Sequence, residues 1–521
     1  MDSQQSPEIR RGLLQRRGTR RALLAGTATV AAAGTAAAVL GVAQRSSGEK
    51  SSEVQGAAQA GSSAATVDFE NPITDPKRRA AHLLRRAGFG GTLAQIDEYS
   101  KLSREEAADR LINYPAVDNS ALEDALEKAN FNLTTGRPPD LFRWWLTRMA
   151  HTTRPLEERM TLIWHGLLTS QISKIGPQRS KLMVTQNQLF RQNALPRYDD
   201  LVKAVSKDPA MLLYLDTDES TREHPNENYA RELMELFTMG VGNYTEDDVR
   251  ESARAFTGWR ITLPKKTGDM QADFANYEPQ FFINDRQHDS GRKTFLGKTG
   301  NWGGDDIVDI IMEHPATGRY ITTRLFTEFA NFNPDPATID RLVDVWNKTN
   351  RDIKAIVRAI LVSDEFYSEQ SYRGFVRSPV EFMVGIIRGL ELEPDLKGRP
   401  IADRTVQGMD QVLFEPPSVA GWPGGSSWLS SSTFFARVNF LDQFLMGAAR
   451  GKQPPPPIPA FATATTAEET VERALSIFVD NNISDASRKS ITDYAKTLTN
   501  PQERAATVAY LVLASPEYQL I

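Results

Sequence analysis

A mainly α-helical fold is predicted by three features of the sequence. Apolar residues recur at spacings of three and four along most of the chain from residue 75. Helix-starting signals, Asp or Ser followed by Pro, stand where those patterns begin. Strand-like alternation is confined to one short stretch around 260–297. The expected architecture is a large multi-helix domain with a small β-hairpin insertion.

The first element is an address. Six arginines (Arg10, Arg11, Arg16, Arg17, Arg20, Arg21) precede an uncharged run of Ala, Gly and Thr from Ala22 to Ala43. Thr19-Arg20-Arg21-Ala22-Leu23-Leu24 resembles a twin-arginine export signal, and Gly41-Val42-Ala43 has the small-x-small pattern of a cleavage site. Residues 1–43 are therefore predicted to be a signal peptide and the protein to be secreted or extracytoplasmic, with an uncleaved anchor as the rival reading. No stable membrane span is expected after cleavage. Residues 44–74 are rich in Ser, Ala, Gly and Gln, bury little, and predict a disordered linker.

The chain of 521 residues has no cysteine, so its stability must come from a large core, and cysteine-based zinc, thiolate and iron–sulfur chemistry are excluded. Loss of residues 1–43 removes six Arg and two acids and moves the formal charge from −5 to −9. A mildly acidic chain without basic runs argues against nucleic acid as partner.

Helices are predicted at 80–88, 103–114, 119–130, 138–151, 155–171 and from Asp208-Pro209, then 226–239 and from Thr245. RITL (260–263) and QFFIN (280–284) predict the hairpin. Helices follow at 305–313, 316–331, 338–348, 352–362, 379–390 and 432–447. The main domain is expected to span 75–450. PPPP (454–457) marks a stiff linker within a C-terminal helical subdomain at 451–521, with helices at 467–478, 484–496 and 502–514.

Three segments carry a family resemblance: DPAMLLYLD (208–216), PNENYARELMELFTMGVGNYTEDDVRESARAFTGW (225–259) and HDSGRKTFLG (288–297). Together they resemble a bacterial family catalogued as domain of unknown function 1800 (DUF1800), over roughly residues 75–521. The resemblance implies no settled reaction. It does imply a neighbouring exported protein of the phosphatase and sulfatase type as partner. Relatives often carry further histidines where this chain has Leu168 and Phe237, which weakens a multi-histidine metal site.

The candidate site residues come from three constellations. On an ideal helix with Glu227 at 0°, Arg231 falls at about 40°, Glu235 at about 80° and Glu232 at about 140°, beside the apolar arc of Leu233, Met234, Leu236 and Phe237. Glu227, Arg231 and Glu235 form a charge ladder. Glu232 borders the core, where a carboxylate has to be paired, metal-bound or protonated. Asn226 and Asn228 sit at the helix start, where free N–H groups can meet a substrate, and Arg254 and Trp259 follow on the next helix. Thr245 and Asp248 have capping-box spacing.

The second constellation is imidazole. His165 lies in an apolar helix, and His288-Asp289 sits in a loop. Catalytic roles fall to Glu232, Glu235, His165, His288 and Asp289, and a divalent metal would take Glu227, Glu232 and His165. Haem on a single histidine stays open. The third constellation is the Pro-Gly loop around Trp422 and Trp428, which would offer a flat platform to a sugar or plug a junction between subdomains. Two functions follow: an exported, acid/His or metal-dependent enzyme acting on envelope or extracellular polysaccharide, or a non-catalytic glycan-binding or assembly protein. The tryptophans are expected beside the same cleft as His288 and the 226–239 helix.

Overall fold

A computed structural model describes residues 73–134, 138–262, 264, 273, 277–393, 407–447 and 455–521. The expected signal at 1–43, residues 44–72 of the linker expected at 44–74, and Leu263 of the first predicted strand lie outside the described residues, as does Pro454 of the proline run. Order is already present at Ile73, which is buried and whose N–H donates to the Tyr367 carbonyl at 2.8 Å.

The fold is mainly α. Helices follow one another from Pro76–Arg86 (α1) to the C-terminal group, and one contiguous apolar core runs through them from Ala81 to Tyr518. Two helices are buried on nearly every side and form its axis. Pro155–Leu167 (α2) starts with Pro at its first position and two acids in its first turn, which suit the helix dipole. Ser180–Gln192 (α3) packs on it. Further along come Glu227–Glu232 (α4), Glu246–Ala255 (α5) and Pro315–Phe329 (α6). Pro379–Gly389 (α7) is the second axial helix, set by a Ser378–Glu381 capping box with Pro379 between them. Ser431–Met446 (α8) follows the tryptophan loop.

The helices Ala467–Val479, Asp485–Lys496 and Pro501–Leu513 pack on one another near the C-terminus. They meet the body through a buried Arg85–Asp480 pair at 2.5 Å and a backbone bridge between Val376 and Leu520.

The β insertion consists of two small antiparallel hairpins. Trp259–Ile261 (β1) pairs with Phe281–Ile283 (β2), as the alternation predicts. Lys293–Phe295 (β3) pairs with Lys298–Gly300 (β4), which the sequence reading did not anticipate. The connecting residues Leu296 and Gly297 both have positive φ (45° and 76°), the backbone of a type I′ turn. Leu is an unusual occupant there, so the pattern gives little warning.

The helices absent from the sequence reading include Leu93–Tyr99, α3 and Tyr198–Ser206. The buried stripe of α3 contains Gln186 and Asn187 between Met183 and Phe190, so its apolar period is interrupted. Gln186 is satisfied inside, its Nε2 donating to Asp208 Oδ1 at 2.8 Å and to Ser170 Oγ at 2.9 Å, and Asn187 Oδ1 accepts from Arg191 at 2.7 Å.

The helix predicted at 226–239 changes character midway. After α4, Leu233–Thr238 forms a π-helical turn, and Met239 N–H donates to the Met234 carbonyl five residues back. The extra residue in the turn rotates everything beyond Glu232, so the ideal wheel fails for Glu235.

Candidate functional site

A cavity of about 510 Å³ opens between α1, α2, α6, α7 and the tryptophan loop. This volume is in the range of small-ligand sites. One wall is aromatic, with Trp422, Trp428, Phe332 and Phe375; Leu162 and Ile163 of α2 add apolar surface. The lining is also charged, with Arg86, Arg159, Arg324, Glu328 and Glu381.

The loop that presents the indoles is fixed from beneath. Phe414 at its start has φ of +66°, a conformation bulky residues rarely adopt. Both its backbone groups are held: its N–H donates to His165 Nε2 at 3.2 Å, and its carbonyl accepts from Ile172 N–H at 3.0 Å. Gly421 has φ of +79°, and a Cβ there would stand 2.3 Å from the Gly166 carbonyl oxygen, so only glycine lets the loop settle on the end of α2. Trp428 is buried in a small cluster with Val376, Leu429 and Phe434, whereas Trp422 is half-buried. The Trp428 carbonyl accepts from Arg437 Nη2 at 3.1 Å.

The charged side is built on the joint between the two axial helices. Arg159 of α2 is ion-paired with Glu381 of α7, both buried. The other Glu381 oxygen accepts the Ser378 N–H at 2.7 Å, so the carboxylate is fully committed. Burial alone would raise its pKa, but Arg159 and Arg86 hold it below the ordinary range. Arg86 donates to the carbonyls of Phe329 (2.8 Å) and Glu328 (2.9 Å), and its guanidinium lies 3.8 Å from the Phe375 ring centre. Burial, and then Arg159, lower its pKa to about 9. Gln411 Oε1 accepts the Val380 N–H at 3.0 Å. Arg324 is half-buried, and its side chain makes no hydrogen bond or ion pair among the described residues; its Nε is buried without a partner.

Of the candidates read from the sequence, Trp422 and Trp428 line this cavity, and His165 lies directly behind it. The His165 ring sits 5.5 Å from that of Trp422, against Trp145 and Phe414, and burial lowers its pKa to about 3. A neutral imidazole accepting the Phe414 N–H makes His165 a support of the tryptophan loop.

The remaining candidates lie in other partnerships, and none lines the cavity. Arg231 pairs with Glu227 at 3.2 Å and with Glu246 at 2.8 Å. Glu235 leaves the expected ladder because of the π turn and accepts from Tyr244 Oη at 2.8 Å. Glu232 is half-buried and has no ion pair among the described residues, and its pKa is raised by burial and then by Glu235. Asn226 caps α4 by accepting the Asn228 N–H at 2.9 Å, while Asn228 itself is exposed. The capping box of Thr245 and Asp248 is present.

Arg254 binds Asp289 at 2.7 Å and Glu251 at 2.9 Å. It thereby pins the His288 loop to α5. His288 Nδ1 donates to the Thr257 carbonyl at 2.7 Å. Trp259 is buried against Phe256 and Phe281, with ring centres at 4.9 and 5.0 Å.

The proposed metal set is not assembled. Glu227 is paired on the partly exposed face of α4, and His165 faces aromatic rings inside α2. Among the described residues no group of three or more His, Asp or Glu is placed to hold a metal ion. No described helix is long and apolar enough to cross a membrane.

Sequence reasoning missed Arg86, Arg159, Arg324, Glu328 and Glu381. The available signal was Arg159 inside the otherwise apolar face of α2, and the two arginines closing AAHLLRR. Comparison with known proteins places the chain in a family: a model described as "Protein of unknown function (DUF1800)" matches residues 82–520, and the chain belongs to that family. No curated protein and no solved structure matches it.

Proposed function

We propose that the protein is an exported, non-catalytic glycan-binding protein, with the cavity between the tryptophan loop and α6 as its binding site. The observation that carries this reading is that a half-buried indole, Trp422, on a rigid loop lines the same cavity of about 510 Å³ as a set of polar groups. Flat apolar faces with a few placed polar groups suit sugar rings. A hydrolase would need a carboxyl free to give or take a proton. Glycoside hydrolysis uses two carboxyls, and the cavity offers Glu328 alone, since Glu381 is tied to Arg159 and Ser378 and the acids and imidazoles expected to do chemistry do not line it. Export by the twin-arginine route, and work beside an exported phosphatase- or sulfatase-like protein, belong to the same proposal, on the residues around Arg20 and Arg21 and on the family resemblance.

The test is titration of tryptophan emission with envelope or exopolysaccharide oligomers, alongside an assay for new reducing ends. Binding should shift the emission without producing reducing ends. Trp422→Ala should weaken it about tenfold, by loss of a stacking face, with an unchanged unfolding midpoint. Release of reducing ends would restore the enzyme reading, and a Trp422→Ala variant that binds as well as the parent would remove the cavity from the function.

A further inference from the structure

Charge on the cavity wall is unbalanced, and this narrows the ligand. Three arginines line it against two glutamates. Arg86 and Arg159 are already engaged, by backbone carbonyls and by Glu381. Arg324 is not: among the described residues its guanidinium has no acid within ion-pair distance, although Glu328 stands one turn further along the same helix.

The protein behind the wall adds to the imbalance. Arg377 and Arg437 are fully buried, and neither has an ion pair among the described residues. Arg377 Nε donates to the Tyr518 carbonyl at 2.7 Å. Arg437 Nη2 donates to the Arg377 carbonyl at 2.6 Å, and its Nη1 to Gln519 Oε1 at 3.2 Å. Glu381 is the one acid that acts on both of them and on Arg86. Arg85 adds no balance, being matched by Asp480. Burial is the larger cause of the depressed pKa of Arg86 and Arg437, both about 9, and a neighbouring arginine is the second in each case. Clustered cations in a low-dielectric region project a positive potential into the space they border.

We infer that the ligand is an acidic sugar or sugar chain, whose carboxylate or sulfate group seats on Arg324 while a ring face lies against Trp422. The inference rests on the glycan reading above and adds the charge. A neutral sugar leaves Arg324 unmatched. An anion meets it with charge-assisted hydrogen bonds, which a planar guanidinium gives in pairs. Glu328 sets the limit, since it opposes an anion that moves along α6.

The test uses three probes on the full chain, by calorimetry at low and high salt: trigalacturonate, its methyl ester, and a sulfated galactose oligomer of the same length. Trigalacturonate, the sulfated oligomer or both should bind about tenfold to a hundredfold more tightly than the ester, as expected for a charged hydrogen bond. Whichever acidic probe binds identifies the group. Salt and Arg324→Gln should each reduce that margin. Glu328→Gln should widen it, which keeps the inference testable if Arg324→Gln fails to fold. Equal binding of the ester and both acidic probes, unaffected by either substitution, would overturn the charge inference and leave the glycan reading standing. No binding by any probe would overturn both.

Discussion

Asp208→Asn should flatten part of the pH dependence of stability, by an amount the structure sets. Asp208 caps the helix Pro209–Tyr214, its Oδ1 accepting the N–H groups of Ala210 (3.0 Å) and Met211 (3.1 Å) as well as Gln186 Nε2. Its Oδ2 is buried without a partner among the described residues. Burial is the dominant influence, and it pushes the carboxyl up to about 7 against the three hydrogen bonds that favour the anion. In the unfolded chain an Asp titrates near ~3.9.

Below that value both states are protonated and the group is neutral towards folding. As pH rises from about 4 to about 7 the unfolded state ionises first, so the native state binds more protons and stability falls by about 1.4 kcal/mol per pH unit. Above the folded pKa of about 7 both states are ionised, and the loss levels off at about 4 kcal/mol. Asn keeps the acceptor that caps the helix and never ionises.

The assay is urea unfolding of parent and variant between pH 4 and 8. Other titrating groups, such as Glu157 (raised by burial) and Glu381 (lowered by Arg159 and Arg86), are common to both chains and cancel in the difference. The stability of Asp208→Asn relative to the parent should climb by about 4 kcal/mol from pH 4 to 7 and then stay level. Parallel curves across that range would refute the argument and mean that the ionised carboxylate is solvated in the native state.

Two further outcomes test the sequence reading. Glu232→Gln should change stability by no more than about 0.5 kcal/mol, because Glu232 is half-buried and has no ion pair among the described residues to break; a loss several times larger in urea unfolding would reveal a partner. If the proposed export holds, replacing Arg20 and Arg21 together by Lys should leave the protein in the cytoplasm, since a twin-arginine signal depends on the arginine pair and not on charge. Normal secretion of that variant, measured by fractionation, would end the twin-arginine assignment.

How much was legible follows from where each structure-determining force lies along the chain. Helices whose start signals and apolar stripes are both local, such as Pro138–His151 and α7, stand at or within a residue of their predicted bounds. Helix α3 was missed because its inward face is partly polar, and Gln186 on that face is matched by Ser170 and Asp208, outside the helix. The π turn at Leu233–Thr238 has no signature in apolar spacing, yet it decides where Glu235 goes. The tryptophan loop was legible because Pro, Gly and Trp act locally. Its charged counterpart was not. Arg159 meets Glu381 across more than two hundred residues of sequence, and periodicity within one helix carries no information about that meeting.

The same separation bears on what the charged side of the cavity does. An ion pair between two axial helices is a weak source of stability by itself, since burying both charges offsets most of their attraction. Its geometry nevertheless fixes one end of α7 against the middle of α2. Next to this joint, Arg86 reaches the last turn of α6 through the carbonyls of Glu328 and Phe329. Those bonds hold the turn that carries Glu328, and Arg324 stands one turn earlier on the same helix. The buried arginines therefore serve the cavity twice over, by fixing the helix on which the unpaired guanidinium is mounted and by adding positive potential behind it. A chain selected only for a stable core would gain more from apolar side chains at these positions. Their use beside an aromatic-walled cavity is the physical ground for placing the function there and not among the acids of α4.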